Sequence, residues 1–86
     1  MTDREYLLRV KRANCVICLK KLGKRNPGCD AHHLGTGADR LARATVALCE
    51  EHHRGATGVH GLHRRAFESF WKVSDLQMLA WTIEQI

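Results

Sequence analysis

Four cysteines and six histidines stand in a chain of 86 residues, and several fall in short pairs. Cys15-Val16-Ile17-Cys18 is a C-x2-C pair whose spacing lets a tight turn aim two sulfurs at one ion. Cys49-Glu50-Glu51-His52 repeats that spacing further along. Together Cys15, Cys18, Cys49 and His52 form a closed Cys3His set, the pattern of a structural site, for which Zn2+ is the natural ion. Cys29-Asp30-Ala31-His32 is a rival second pair with the same C-x2-H spacing. It ranks lower because it takes a histidine that a second site needs. A redox role for the C-x2-C pair requires a thioredoxin-like βαβ context, which this sequence does not supply.

Five histidines remain: His32, His33, His53, His60 and His63. Successive side chains on an extended strand point to opposite faces. The His32-His33 pair can therefore give one imidazole to a metal and the other to a water beside it. His53 follows the Cys3His set directly, and His60 lies across a short glycine-bearing loop. If that loop folds back, His32, His53 and His60 converge on one ion. Three protein ligands with open positions describe a catalytic metal site. Cys29 is left over, and His63 takes only an incidental or surface place.

These ligands need elements to hold them. Thr2 to about Ala13 reads as a helix with Tyr6, Leu7, Val10 and Ala13 on one side. Gly23 to Gly28, which contains the only proline, is a turn region. About Asp30 to Leu34 and about Thr45 to Leu48 suit a two-stranded hairpin with a long connection through Gly35-Thr36-Gly37. Val59, Leu62, Ala66 and Phe70 mark a helical stripe, widened by Phe67 and Trp71. Ser74-Asp75-Leu76-Gln77 is a capping box, and Leu76, Leu79, Ile83 and Ile86 mark a final amphipathic helix.

Charge and composition narrow the function classes. Lys and Arg number 14 against 9 Asp and Glu, a net charge of +5. Eight of the basic residues (Arg4, Arg9, Lys11, Arg12, Lys20, Lys21, Lys24 and Arg25) lie in the first 25 positions, and no acid falls between Arg9 and Arg25. A basic arm beside a histidine-rich centre suits a polyanion, with Arg9, Lys11, Arg12, Lys20 and Lys21 as the expected nucleic-acid contacts. A solvated face that keeps a small protein soluble is the plainer alternative. No stretch approaches the roughly 18–20 apolar residues of a membrane span. Met1-Thr2-Asp3-Arg4-Glu5 lacks the basic and apolar regions of a secretory signal. The expectation is a cytoplasmic protein, where thiols stay reduced and bind metal. A domain this short buries only roughly 60% of its unfolded surface, so a metal is needed to help hold it together.

The order C-x2-C, Asp-x-His-His-Leu, long loop, Val-x-Leu-Cys-x2-His-His resembles the HNH, or ββα-metal, endonuclease superfamily. More narrowly, Ala31-His32-His33-Leu34 followed by Leu48-Cys49-Glu50-Glu51-His52-His53-Arg54-Gly55 is similar to the phage recombination-enhancement, RecA-dependent nucleases. The resemblance covers about Cys15 to Trp71. It implies an α+β fold: a small zinc-stabilised ββα-metal unit with an N-terminal helix and two C-terminal helices. Residues 1–86 then form one domain, with a basic helix over 1–13, knuckle and core over 15–71, and a last helix over 74–86. His33 becomes the general base that takes a proton from the attacking water. His32, at a position often held by Asp, ligates a catalytic divalent ion (Mg2+, Mn2+, Ni2+ or Zn2+) with His53 and His60. Arg54 is placed to contact the phosphate. Asp30 holds a basic side chain, orients an imidazole, or is a solvated loop carboxylate. One departure stands out: the middle Asn is absent, and Arg43-Ala44-Thr45-Val46 offers only Arg43 and Thr45 as polar substitutes.

The expected function is metal-dependent DNA hydrolysis in phage recombination or DNA processing. The alternative is a zinc-stabilised nucleic-acid-binding module that does not cut, which leaves the second histidine cluster without a task. A zinc protein made only for protein contacts explains neither His32-His33 nor the basic arm. DNA is the expected partner, with no membrane, and a RecA-type filament follows from the narrower resemblance alone. A phage or prophage origin fits. The chain acts as a monomer, or as a homodimer through its apolar last helix.

Overall fold

The structure, a computed structural model, describes residues 1–35 and 41–86; Thr36 and Gly37 of the expected hairpin connection lie outside them. Its elements are α1 (Asp3–Arg12), α2 (Val16–Lys21), β1 (Asp30–His33), β2 (Thr45–Leu48), α3 (Glu50–Arg54), α4 (Val59–Leu62), α5 (Arg64–Trp71) and α6 (Asp75–Ile83). This is a small α+β domain with helices on both sides of one antiparallel hairpin, the ββα arrangement anticipated from the sequence.

The hairpin sets the faces. Asp30 pairs with Leu48, Ala31 with Ala47, His32 with Val46 and His33 with Thr45. Ala31 and Ala47 pack against Tyr6, Val10 and Ala13 of the α1 side. Val46 and Leu48, one residue out of phase, join Ile17, Phe67 and Met78 in the larger core. The two-residue period thus puts His32 on the face that α3 and α4 cover. Helix α1 begins at a capping box in which Thr2 and Glu5 satisfy each other's backbone N–H.

Three expectations change in the C-terminal half and the knuckle. The C-x2-C pair is not a bare turn: Cys15 caps α2 and Cys18 sits one turn in. The stripe from Val59 to Trp71 is two helices, because His63 (φ 69°, ψ 155°) breaks it. The break advances the phase by one residue, so Phe67 is buried where Ala66 was expected, and Phe70 is 58% exposed. In α6 the buried residues are Met78 and Thr82, while Leu76 (77%) and Ile83 (53%) face solvent. Thr82 explains the change. Its Oγ1 accepts from the buried Ala47 N–H of β2 and donates to Met78 O, so a polar residue occupies the packed face. An unpaired strand N–H at that edge would cost about 1–3 kcal/mol. The capping box of Ser74 and Gln77 is present as expected.

Candidate metal centres

Each half of the Cys3His cluster is the first turn of a short helix. Cys15 and Cys18 are the N-cap and third residue of α2; Cys49 and His52 hold the same two places in α3. Partial positive charge at a helix N-terminus favours thiolates there. His52 Nδ1 lies 3.5 Å from Cys15 Sγ, 3.5 Å from Cys18 Sγ and 3.2 Å from Cys49 Sγ. Cys18 and Cys49 sulfurs are 3.9 Å apart, and all four cysteines are free of disulfides. A tetrahedral Zn2+ with ordinary bond lengths separates sulfurs by about 3.8 Å and sulfur from nitrogen by about 3.5 Å. Donors and spacing both fit that ion. Burial pushes the Cys15 thiol up to about 12, so its ionisation here calls for a cation. Burial also lowers the pKa of His52, keeping it neutral as a ligand must be.

The surroundings hold this cluster in place. Asn26 Nδ2 donates to Cys18 Sγ (3.5 Å), Asn14 Oδ1 accepts from Asn26 N, and Gln85 brackets Asn14 with three hydrogen bonds. The Trp71 ring meets His52 edge-on at 5.0 Å. Cys29 lies outside the cluster: its thiol donates to Ala13 O at 3.2 Å and burial holds its pKa up to about 12. The rival pair Cys29/His32 is therefore not assembled.

The second cluster is His32, His53 and His60, whose ligand nitrogens lie within 4.8 Å of one another. Adjacent residues of α3 diverge by about 100°, so His52 turns into the cysteine cluster and His53 into this one. Two ligand sets are thus built on one five-residue helix. Asp30 Oδ2 accepts from His53 Nδ1 at 2.9 Å and from Arg54 at 3.0 Å. A carboxylate only accepts, so Nδ1 carries a proton and Nε2 is the ring nitrogen turned to the cluster. The His53 hydrogen bond, then Arg54, holds the Asp30 carboxyl below the usual carboxylate range. His53 Nε2 faces His60 Nε2 at 3.2 Å. Imidazoles on one ion at ordinary bond lengths sit about 2.9–3.4 Å apart. Burial, with His53, His60 and His33 nearby, drives the His32 pKa down to about 4, leaving a neutral ring. Three imidazole nitrogens and no thiolate suit a borderline or hard divalent ion with open positions.

Glycine brings His60 there. A Cβ on Gly58 would stand 2.6 Å from Glu51 O and 2.8 Å from the His53 carbonyl carbon, so α4 lies directly on α3. Glu51 fixes the intervening loop by accepting from Thr57 N and Oγ1, and Trp71 Nε1 donates to Thr57 O. The spacing of glycines marked a loop in the sequence, but no signal there identified Glu51 or Trp71 as its anchors.

The three histidines open into a cleft of about 570 Å3 whose walls also carry His33, His63 and Arg64. Arg64 is held by Asp75 at 3.2 Å and Glu68 at 3.5 Å. None of Arg9, Lys11, Arg12, Lys20 and Lys21 lines this cleft. Arg9 and Arg12 lie with Gln85 and Ile86, while Lys20 pairs with Glu84, and both Lys20 and Lys21 reach Trp81. Arg43 turns away to Asp3 and the Met1 carbonyl, and Thr45 is buried opposite His33. No family model, curated protein or solved structure matches the chain. The arrangement itself is consistent with a zinc-stabilised ββα-metal unit.

Proposed function

We propose that this protein is a metal-dependent nuclease acting on DNA, with Cys15, Cys18, Cys49 and His52 holding a structural Zn2+. His32, His53 and His60 hold a catalytic divalent ion. The observation that carries the reading is the convergence of these three histidines in one open cleft that also contains His33. A pure zinc-binding module requires no second set of imidazole ligands opening into a cleft.

When bound, the divalent ion supplies Lewis-acid stabilisation of charge on the phosphate and on the departing 3′ oxygen. The chain supplies the rest. Asp30 orients His53 and fixes its tautomer, the arrangement by which carboxylates tune metal-ligating histidines. Burial keeps His32 neutral. His33, next along β1 but on the opposite strand face, is left to accept the proton of the attacking water, since imidazole titrates near neutral pH. Arg54, bonded to Asp30 at the edge of the cluster, offers its remaining donors to a phosphate oxygen. Action in phage recombination, and on a RecA-type filament, is the narrower form of the same proposal.

Incubation of the protein with supercoiled plasmid and Mg2+, Mn2+, Ni2+ or Zn2+ tests it. The reading expects nicking that one or more of these ions supports and chelation stops. A protein that binds DNA with strong salt dependence yet nicks with none of the four is the non-cutting module.

A further inference from the structure

His63 is held in a backbone conformation, φ 69° and ψ 155°, that glycine alone adopts without strain. The His63 side chain does nothing local to repay that strain. The residue stands between α4 and α5; its carbonyl accepts from Phe67 N at 2.9 Å, as any residue's could, while its side chain makes no capping bond to α5 and the residue is exposed. Its imidazole has no hydrogen-bond or ion-pair partner among the described residues. It does line the cleft that holds His32, His53, His60 and His33. Arg64, the next residue, lines the same cleft with its guanidinium steered by Asp75 and Glu68. A side chain on a strained backbone that makes no capping bond and lines the site is placed to meet a ligand there.

We infer that His63 is a substrate-contacting residue, donating an imidazole N–H to a nucleic-acid phosphate in this cleft, with the Arg64 guanidinium beside it. The inference takes the class of ligand from the nuclease reading but does not depend on bond cleavage. A phosphodiester presents two anionic oxygens. The His63-Arg64 wall offers an imidazole N–H and a guanidinium to them, separate from the metal ligands. The N-terminal basic residues lie away from the cleft, so this wall supplies the phosphate contacts the arm was expected to make there.

The test compares wild type, His63→Gly and His63→Gln for thermal midpoint, affinity for a short duplex at low salt, and plasmid nicking. Glycine fits the backbone, so His63→Gly melts at the same temperature or higher. It loses one hydrogen bond to a charged group and binds DNA roughly tenfold more weakly. His63→Gln keeps a donor and recovers part of the affinity. Unchanged affinity in His63→Gly, or a lower melting temperature, overturns the inference. Weaker binding by His63→Gly in a protein that never nicks plasmid supports the contact and removes the nuclease reading. Nicking by wild type with equal DNA affinity in both proteins does the reverse. A wild type that neither binds nor cuts DNA removes both.

Discussion

The pair His52-His53 gives the site its logic at the scale of single residues. One imidazole enters a buried sulfur cluster that fits a tetrahedral ion; the next enters a half-buried all-nitrogen cluster that opens into the cleft. Their second ring atoms and surroundings differ accordingly. His52 packs under Trp71, whereas His53 leans on the Asp30 carboxylate. Loss of a carboxylate behind a metal-bound histidine ordinarily costs 10–100-fold in metal affinity or activity. Asp30→Ala is therefore expected to weaken Mn2+ or Ni2+ binding by roughly 10–100-fold while one tightly held zinc remains. Calorimetric titration alongside metal analysis checks this. Unaltered affinity would return Asp30 to an ordinary partner of Arg54.

At the scale of elements, short helices do the positioning, and their close packing is what the glycines permit. Gly58→Ala places a methyl against the α3 backbone at Glu51 and His53. Overpacking of this kind costs about 1–3 kcal/mol. The variant is expected to melt several degrees lower and to lose divalent-ion binding at the histidine cluster with the zinc retained; a variant with both ions bound as in wild type contradicts the role given to α4. The sequence carried much of this frame. Ligand spacing identified the Cys3His cluster, and the crowding of histidines around a glycine loop pointed to the second. Short apolar-flanked segments on either side of a glycine-bearing connection suited the hairpin, although β2 is buried on both faces and carries no alternation. Other features left no such signal. The six-residue α2 is too short for a helical period, His63 breaks a stripe that looks continuous, and Thr82 faces inward because a strand N–H needs its hydroxyl. The packed face of α6 was unreadable from hydropathy for that reason, and the exposed Leu76 and Ile83 are its consequence.

At the scale of the whole molecule, the Cys3His cluster joins the parts. It ties α2 to α3, and through Asn26, Asn14 and Gln85 it reaches the C-terminal end. A site of this type contributes about 10–16 kcal/mol in small peptides, as much as the whole stability of an ordinary domain. Removing zinc with a strong chelator is expected to abolish the helical circular-dichroism signal, and re-addition to restore it; a chelated protein that keeps its spectrum would show a fold that does not depend on metal. The histidine cluster makes the opposite demand, since its ion should be exchangeable without unfolding. Cleavage of supercoiled plasmid by wild type and by His33→Ala, both carrying one zinc and the same circular-dichroism spectrum, joins these claims in one measurement. Removal of a general base lowers rates by about 10²–10⁴-fold, so the account predicts nicking by wild type with a divalent ion and a loss of that size in His33→Ala. Equal cutting by the two proteins, or none by wild type with any of the four ions, would contradict it.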